Sequence, residues 1–526
     1  MTKIHTLLLL CLFALVLPVA GQEAEFKKIK ESWTLRADGS QVYRHMKVLT
    51  LYTHTAMNRT YGESFITYDP RYQTLEIHES YTRQKDGNIV KTPDNAFVEV
   101  LPAAAANAPA FNALREMVVV HTGLELGATV YLDYSITSKP GYLPEINVCR
   151  QLEQSSPVKE YEISITVPQG QRLEYALDNL KSKPLVTEKE GMKQVSWVLK
   201  NLPALSREPQ VSVIGGELPL LTATTEQKPM AFLSAQWERE ADARLRTLAG
   251  KLTAGAKSDE EKVKALHSYV IDNLYYSPLP LSETAYRIRP TAEVLRSAYA
   301  TEAEKANLLA AVLRAAGLKA EIGAVCVPSA NTASLGMGSI RELFVWTEAG
   351  GRQQALSLKG KTPSVVSWQK DHAYVAMLTQ PFELNLPSAA LNKEYTLQPD
   401  KAKAKDGYLV FTLPAERGSF ANSQYVRYNS KRTSNLLLPG AADETFTYLA
   451  ETPEGMRLAT PAMEKKIDNA VGTLIISILP EGGQTRVVRS LKLKKQMIRP
   501  ADYAAFRQLM IEYGAVDGQT LVYKSK

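Results

Sequence analysis

Thiol and imidazole side chains are the first candidates for chemistry in this chain. It has three cysteines and seven histidines, and a cysteine paired with a histidine base is a nucleophile for acyl transfer. Cys326, with His372 as its base, could form such a pair. Cys326 lies, however, in an Ala-Val-Cys-Val run that predicts packed core, where a free cysteine behaves as a small apolar residue. Since an activated thiol needs an electropositive, partly exposed position, the sequence favours an inert Cys326.

Sequence signatures of bound cofactors and metals are absent. The sequence has no Gly-x-x-x-x-Gly-Lys loop, Gly-x-Gly-x-x-Gly turn, His-Glu-x-x-His, Cys-x-x-Cys or Gly-x-Ser-x-Gly elbow. Each of these places specific side chains or backbone amides around a phosphate, a zinc ion, a redox centre or a serine nucleophile. We therefore expect no cofactor and no metal.

The charge balance excludes nucleic acid as an expected partner. Lys and Arg number 62 and Asp and Glu 55, which gives a formal net charge of +7 spread over 526 residues. The densest basic run, residues 401–405, ends at Asp406-Gly407 and predicts a solvated loop. The partners that stay open are a peptide, a protein or a glycan.

The first residues predict export. Lys3 precedes an apolar stretch from Leu7 to Leu17, and a small-residue site follows at Ala20-Gly21, which is the pattern of a secretory signal peptide over residues 1–21. Cys11 belongs to that stretch. The sequence has no second apolar run of membrane-spanning length. We expect a periplasmic or cell-surface protein without an integral membrane segment, and a Cys149–Cys326 disulfide is possible there but not favoured.

The elements that would position these residues fall into three regions: a strand-rich region, a region with helical spacing of apolar residues, and a second strand-rich region. Residues 22–225 alternate with period two, as at Val130 and Leu132, and Asp-Gly pairs punctuate the strands as in hairpins. This region predicts an all-β, sandwich-like domain. Residues 386–526 again predict strands, with a last helix from Pro500 to Tyr513, and so a second β-sandwich-like domain.

Residues 226–385 predict an α+β domain. One helix carries its apolar stripe at Val263, Leu266, Val270 and Leu274. His267 lies beside that stripe, and we interpret it as a hydrogen-bonded histidine at the edge of the core. A second helix begins with the capping-box pair Thr301 and Glu304 and ends at Gly317. Short strands follow, which is typical of an α+β arrangement.

This helix and its surroundings resemble a known family. The run TAEVLRSAYATEAEKANLLAAVLRAAGLKAEIGAVC, at 291–326, resembles the core of bacterial transglutaminase-like domains, and DEEKVKALHSYVIDNLYY resembles their leading helix. NAPAFNALREMVVVHTGLELGATVYLDYSI resembles the domain of unknown function that precedes such cores in exported bacterial proteins, and IRPADYAAFRQLM the β domain that follows. The resemblance implies a papain-like core and acyl transfer or hydrolysis by a Cys-His-Asp triad.

This chain departs from the family pattern at the triad. The alignment puts Glu302 at the position of the cysteine, Glu342 at that of the histidine and Ser357 at that of the aspartate. In an alternative alignment, His372 and Asn385 occupy the histidine and aspartate strands. The nucleophile is missing in both, and a carboxylate cannot do thiolate chemistry.

Three hypotheses follow from the resemblance. The first is a catalytically inactive domain that serves as a scaffold or binds a peptide or glycan, with Trp346 and Trp368 available for stacking. The second is a cysteine peptidase or transglutaminase-type enzyme that uses Cys326 and His372. The third is a hydrolase in which Glu302 and Glu342 act as acid and base, although Glu302 is also explained by its favourable charge at the start of the helix.

Overall fold

The structure is a computed structural model that describes residues 22–206, 208, 218–228, 230–360, 374–377, 390–415, 419–420, 431–438, 442–495 and 497–526. The expected leader and three of the candidate site residues, Trp368, His372 and Asn385, lie outside these ranges. Within the described ranges, the helices are all too short or too polar to cross a membrane.

The N-terminal region is built from strands, as the period-two pattern predicts. The strands are β1 (Ala24–Leu35), β2 (Gln41–Leu51), β3 (Glu63–Tyr68), β4 (Gln73–Arg83), β5 (Ile89–Lys91), β6 (Phe97–Val100), β7 (Arg115–Val120), β8 (Thr129–Ser138), β9 (Asn147–Gln151), β10 (Val158–Pro168), β11 (Glu174–Asp178), β12 (Leu185–Lys189), β13 (Met192–Leu202) and β14 (Leu220–Thr224). Val130 and Leu132 are buried on β8, and Gly39 closes the β1–β2 hairpin with a φ of 83°, a conformation that glycine adopts without strain.

These strands form three sheets. The largest has eight strands in the order β12-β13-β10-β1-β2-β8-β4-β5, in which β1 and β10 are parallel neighbours. The two smaller sheets have the orders β3-β7-β6 and β11-β14-β9. The hydrophobic core of this domain includes Leu49, Val130, Ile163 and Trp197.

The central region combines helices with a small antiparallel sheet. Its elements are α1 (Ala231–Ser234), α2 (Ala243–Thr253), α3 (Asp259–Asn273), β15 (Tyr275–Tyr276), α4 (Thr291–Ser297), β16 (Tyr299–Ala300), α5 (Glu302–Ala315), β17 (Ala320–Cys326), β18 (Ile340–Ala349), β19 (Arg352–Ser357) and β20 (Tyr374–Met377). The sheet order is β19-β18-β17-β20. Helix α5 is buried on every side from Ala303 to Leu313, which agrees with a sequence that is rich in small and apolar residues around its whole circumference.

The C-terminal region returns to strands. Its elements are β21 (Leu391–Leu397), β22 (Tyr408–Thr412), β23 (Leu436–Leu437), β24 (Asp443–Glu451), β25 (Met456–Leu458), β26 (Met463–Asp468), β27 (Gly472–Glu481), β28 (Gln484–Leu493), β29 (Met497–Ile498), α6 (Tyr503–Tyr513) and β30 (Thr520–Ser525). A five-stranded sheet, β21-β24-β28-β27-β26, is accompanied by the three-stranded sheet β22-β30-β25. Phe506 and Leu509 of α6 are fully buried in a core shared with β27 and β28. The predicted fold class, β-rich, then α+β, then β-rich, is confirmed.

The N-terminal and central regions are joined by specific polar contacts. The hydroxyls of Thr222 and Ser334 lie 2.6 Å apart in buried surroundings. Ala110 N donates to the Tyr299 hydroxyl at 2.7 Å, and the Arg287 guanidinium donates to the Gly141 carbonyl at 2.9 Å. Buried hydrogen bonds fix relative orientation because breaking one leaves an unsatisfied polar group. The N-terminal and central domains therefore pack directly against each other.

Candidate functional site

The start of α5 is fixed by a network of buried hydrogen bonds. Thr301 Oγ1 accepts from Glu304 N, and Glu304 Oε2 accepts from Thr301 N at 2.8 Å, which completes the capping box that the sequence predicts. Arg289 adds two bonds to the Glu304 carboxylate, from Nε at 2.7 Å and from Nη2 at 2.9 Å. Because the Glu304 side chain is fully buried and ion-paired, the first turn of α5 is held rigidly in place.

A cleft of about 290 Å³ lies in front of this helix start. Its walls come from four parts of the central domain: Tyr276; residues 278–282 with Thr284 and Tyr286; Thr301, Glu302 and Ala303 at the helix start; and Met337, Gly338, Ile340, Arg341 and Leu343 at and before the start of β18. In a thiol acyl-transfer enzyme of papain-like fold, this position at a helix N-terminus holds the nucleophile, since the helix dipole favours an anion there. Here the side chain at that position is Glu302.

Both oxygens of the Glu302 carboxylate are already engaged. Oε1 accepts a hydrogen bond from Leu343 N at 2.9 Å, and Oε2 lies 3.3 Å from Lys359 Nζ. Burial lowers the pKa of Lys359, but Glu302, Tyr276 and Glu342 together outweigh it and the net shift is upward, so the ammonium stays charged. Lys359 lies two residues after the end of β19, and no motif in the sequence marks it as a site residue.

Glu342 belongs to the same charge cluster. Burial raises the pKa of Glu342, Lys359 opposes this effect and the charge of Glu302 adds to it, and the net pKa is about 7. The structure thus brings Glu302 and Glu342 within electrostatic reach of one shared lysine. A carboxyl group with a pKa near neutrality can give or take a proton at physiological pH.

Ser357, the third position of the alignment, has a structural role. It is 3% exposed, it pairs with Phe344 across β18 and β19, and its Oγ accepts from Lys359 N at 3.3 Å. Its carbonyl oxygen lies 2.7 Å from Nε2 of the buried His267. His267 is therefore a hydrogen-bonded histidine, as expected, and Ser357 shapes the turn that carries Lys359.

Both described cysteines carry free thiols, and neither is an activated one. Cys326 is 0% exposed on β17, and burial raises its pKa to about 12. Cys149 lies on β9 and accepts a hydrogen bond from Arg341 Nη2 at 3.0 Å, yet burial outweighs this contact and raises its pKa. At neutral pH both groups are thiols rather than the nucleophilic thiolate.

Neither an aromatic platform at Trp346 nor a metal site is supported by the described residues. Trp346 is 5% exposed on β18 and is not among the residues that line the cleft, so stacking on a ligand there is not supported. Across the part of the chain that the structure describes, the acidic, histidine and cysteine side chains form no group of three that could hold a metal ion.

Three family models match separate parts of the chain. The transglutaminase-like superfamily core matches residues 246–378. The models DUF3857 and DUF3858, each a domain of unknown function with a solved structure, match residues 37–206 and 408–523. No curated protein matches the chain.

A crystal structure from Parabacteroides distasonis ATCC 8503, described as a candidate protease, matches nearly the whole chain. The two are 41% identical with a TM-score of 0.87, over 95% of this chain and 99% of that one. The chain therefore belongs to the family of that protein, in which a transglutaminase-like core lies between DUF3857 and DUF3858 domains.

Two other solved structures match weakly. The periplasmic domain of TgpA from Pseudomonas aeruginosa is 14% identical over 38% of this chain and 69% of its own, with a TM-score of 0.18. A candidate cysteine protease from Cytophaga hutchinsonii is 10% identical over 66% of this chain and 84% of its own, with a TM-score of 0.19.

Proposed function

We propose that the central domain binds a peptide in its transglutaminase-like cleft and catalyses no thiol-dependent acyl transfer. The observation that carries this proposal is Glu302, whose carboxylate occupies the helix start and is held by Leu343 N and Lys359. The positive end of α5 and the lysine both stabilise an anion there. That anion is a carboxylate engaged on both oxygens, and so it is not free to attack a carbonyl carbon.

Two observations support a peptide as the ligand: the residues that line the cleft and the description of the Parabacteroides relative. Tyr276 and Arg341 face the cavity beside the prolines of the segment 278–281, and tyrosine and arginine are the residue types enriched at recognition surfaces. The Parabacteroides relative is described as a candidate protease, a class that binds polypeptide substrates.

Binding and turnover can be read in one experiment. The purified protein is incubated with tryptic peptides of casein and with dansylcadaverine as an acyl acceptor. The peptides that stay bound to the protein and those that remain free are separated, and their masses are measured by mass spectrometry. We expect retained peptides of unchanged mass. Tyr276→Ala should reduce retention, whereas Tyr275→Ala, a neighbouring residue outside the cleft lining, should not. New fragments, amine adducts or a complete lack of retention would contradict the proposal.

A second candidate function is a carboxylate-based hydrolase. The observation that favours it is the pKa of about 7 at Glu342, which is within electrostatic reach of Glu302, since a pair of carboxyl groups can act as acid and base when their environments differ. This candidate predicts turnover that resists iodoacetamide and is lost in both Glu302→Gln and Glu342→Gln.

The thiol alternative has the least support. It requires Cys326 as the nucleophile, and Cys326 is fully buried with a pKa of about 12. It predicts turnover that iodoacetamide abolishes and that Cys326→Ser removes.

We also propose that the protein is exported and that its domains have the boundaries expected from the sequence. The leader pattern of residues 1–21 supports secretion to the periplasm or the cell surface. We place the domains at 22–225, 226–385 and 386–526. Cell fractionation and limited proteolysis test these two statements directly, by the compartment in which the protein is found and by the sites that are cut first.

A further inference from the structure

A second cavity, of about 510 Å³, lies in the N-terminal domain. Strands β1, β2 and β8 of the large sheet form one side, β3 forms another, and Ser282, Glu283 and Tyr286 of the central domain close one end. Its volume is within the range of roughly 300–1,000 Å³ that is typical of small-molecule sites. Ser282 and Tyr286 also line the cleft at Glu302, so the two cavities lie on either side of one segment.

Arg150, which lines this cavity, is held in place by an ion pair with Glu31, which is not among the lining residues. Arg150 Nη2 donates to Glu31 Oε1 at 2.5 Å and to the Tyr43 hydroxyl at 3.0 Å. Glu31 is 2% exposed and also accepts from the hydroxyls of Tyr43 and Tyr161. The Arg150 side chain is nevertheless 39% exposed. Arg150 thus presents guanidinium donors to the cavity while its charge is balanced by Glu31.

The walls of the cavity carry aromatic rings. The Trp33 and Tyr43 rings are 5.3 Å apart, and the Arg150 guanidinium lies 5.9 Å from the Trp33 ring centroid. Phe65, on β3, is 59% exposed although it lines the cavity. A large apolar ring left that accessible inside a concave site offers a face for a ligand.

The polar groups of the lining are mixed in kind. Glu145 and Glu283 contribute carboxyl groups beside Arg150 in the lining. Gln41 and Gln73 contribute amides, which are already hydrogen-bonded to Leu143, Asp69 and Ser138. Glu283 Oε2 is buried without a hydrogen-bond partner among the described residues, and burial raises the pKa of this group. A cationic ligand would meet Arg150, and an anionic ligand would meet the two glutamates. A neutral molecule with many hydroxyls, each both donor and acceptor, and with apolar ring faces, satisfies both the polar groups and the rings.

The geometry points to this cavity as a binding site for a neutral oligosaccharide. The saccharide rings stack on Trp33 and Phe65, and its hydroxyls bond to Arg150 and to the carboxyl groups of Glu145 and Glu283. The site is formed mainly by the N-terminal domain and shares only Ser282 and Tyr286 with the lining of the peptide cleft, so it extends the function of the protein beyond the proposed one.

Isothermal titration calorimetry of the full protein tests this site. The probes are the neutral di- and trisaccharides of glucose, mannose, galactose, xylose and N-acetylglucosamine, with a glucuronic acid disaccharide and a lysine tripeptide as charged comparisons. We expect at least one neutral saccharide to bind and the charged probes not to. Phe65→Ala and Trp33→Ala should each weaken that binding by about fivefold to tenfold.

The matched control is Leu185→Ala, which removes an apolar side chain that is 65% exposed on β12, outside the cavity, and should leave the affinity unchanged. The site is refuted if no neutral saccharide binds, if only charged probes bind, or if Phe65→Ala and Trp33→Ala bind as tightly as the unaltered protein. Tyr276→Ala should leave saccharide affinity intact, and Phe65→Ala should leave peptide retention intact. The saccharide site and the peptide cleft are therefore tested independently of each other.

Discussion

The pKa of Glu342 predicts how the stability of the central domain depends on pH. Its folded pKa is about 7, against an ordinary value of 4.5. The folded protein therefore binds this proton more tightly than the unfolded chain does. The stabilisation is fully present below about pH 4.5 and is lost as pH rises through 7. With 1.36 kcal/mol for each unit, the loss between pH 5 and pH 8 is on the order of 2–3 kcal/mol.

Glu342→Gln removes this proton and keeps the size of the side chain. The assay is urea unfolding at pH 5, 6, 7 and 8 at constant salt, read as the difference in unfolding free energy between the variant and the unaltered protein. We expect the variant to gain on the order of 2–3 kcal/mol relative to the unaltered protein from pH 5 to pH 8. Glu348→Gln, on the same strand with its carboxylate 37% exposed, is the control and should show no such gain. A pH-independent difference for Glu342→Gln would refute the reasoning.

Three further predictions concern the helix start and the thiols. Thr301→Ala should lower stability by about 1 kcal/mol in chemical denaturation because it removes the N-cap of α5, and Thr301→Ser should restore it; equal stability of all three would contradict the capping role. In the folded protein at pH 8, Cys326 should stay unmodified by Ellman's reagent until guanidinium unfolds the chain, and mass spectrometry that finds it labelled before unfolding would contradict its burial. Glu302→Cys should create a thiol whose pKa, from the pH dependence of its iodoacetamide rate, lies below about 8.5 because the helix start and Lys359 favour the anion; a pKa at or above that value would argue against the electrostatics proposed for this site.

Local sequence signals predicted the elements that carry the site. The capping box at Thr301 and Glu304 defines the start of α5 within four residues, and the structure confirms it. The apolar context of Cys326 predicted a buried thiol, and the stripe beside His267 predicted a buried histidine with a hydrogen-bond partner. These predictions succeed because capping and burial are determined by residues close in sequence.

The partners of the site residues could not be predicted in the same way. Lys359 reaches Glu302 across 57 residues of chain, and Arg150 reaches Glu31 across 119. Such pairs depend on how strands from distant segments are placed side by side, which periodicity does not reveal. The same limitation explains Trp346, whose type suits a ligand platform but whose strand position buries it.

The most direct test of the central claim is turnover measured before and after alkylation. Purified protein is assayed for peptide cleavage and for transfer of a labelled amine, with and without iodoacetamide, beside Cys326→Ser. The absence of a thiol nucleophile at Glu302 predicts no thiol-dependent turnover and no effect of either treatment. Turnover that iodoacetamide abolishes and that Cys326→Ser loses would contradict the account and establish a cysteine enzyme.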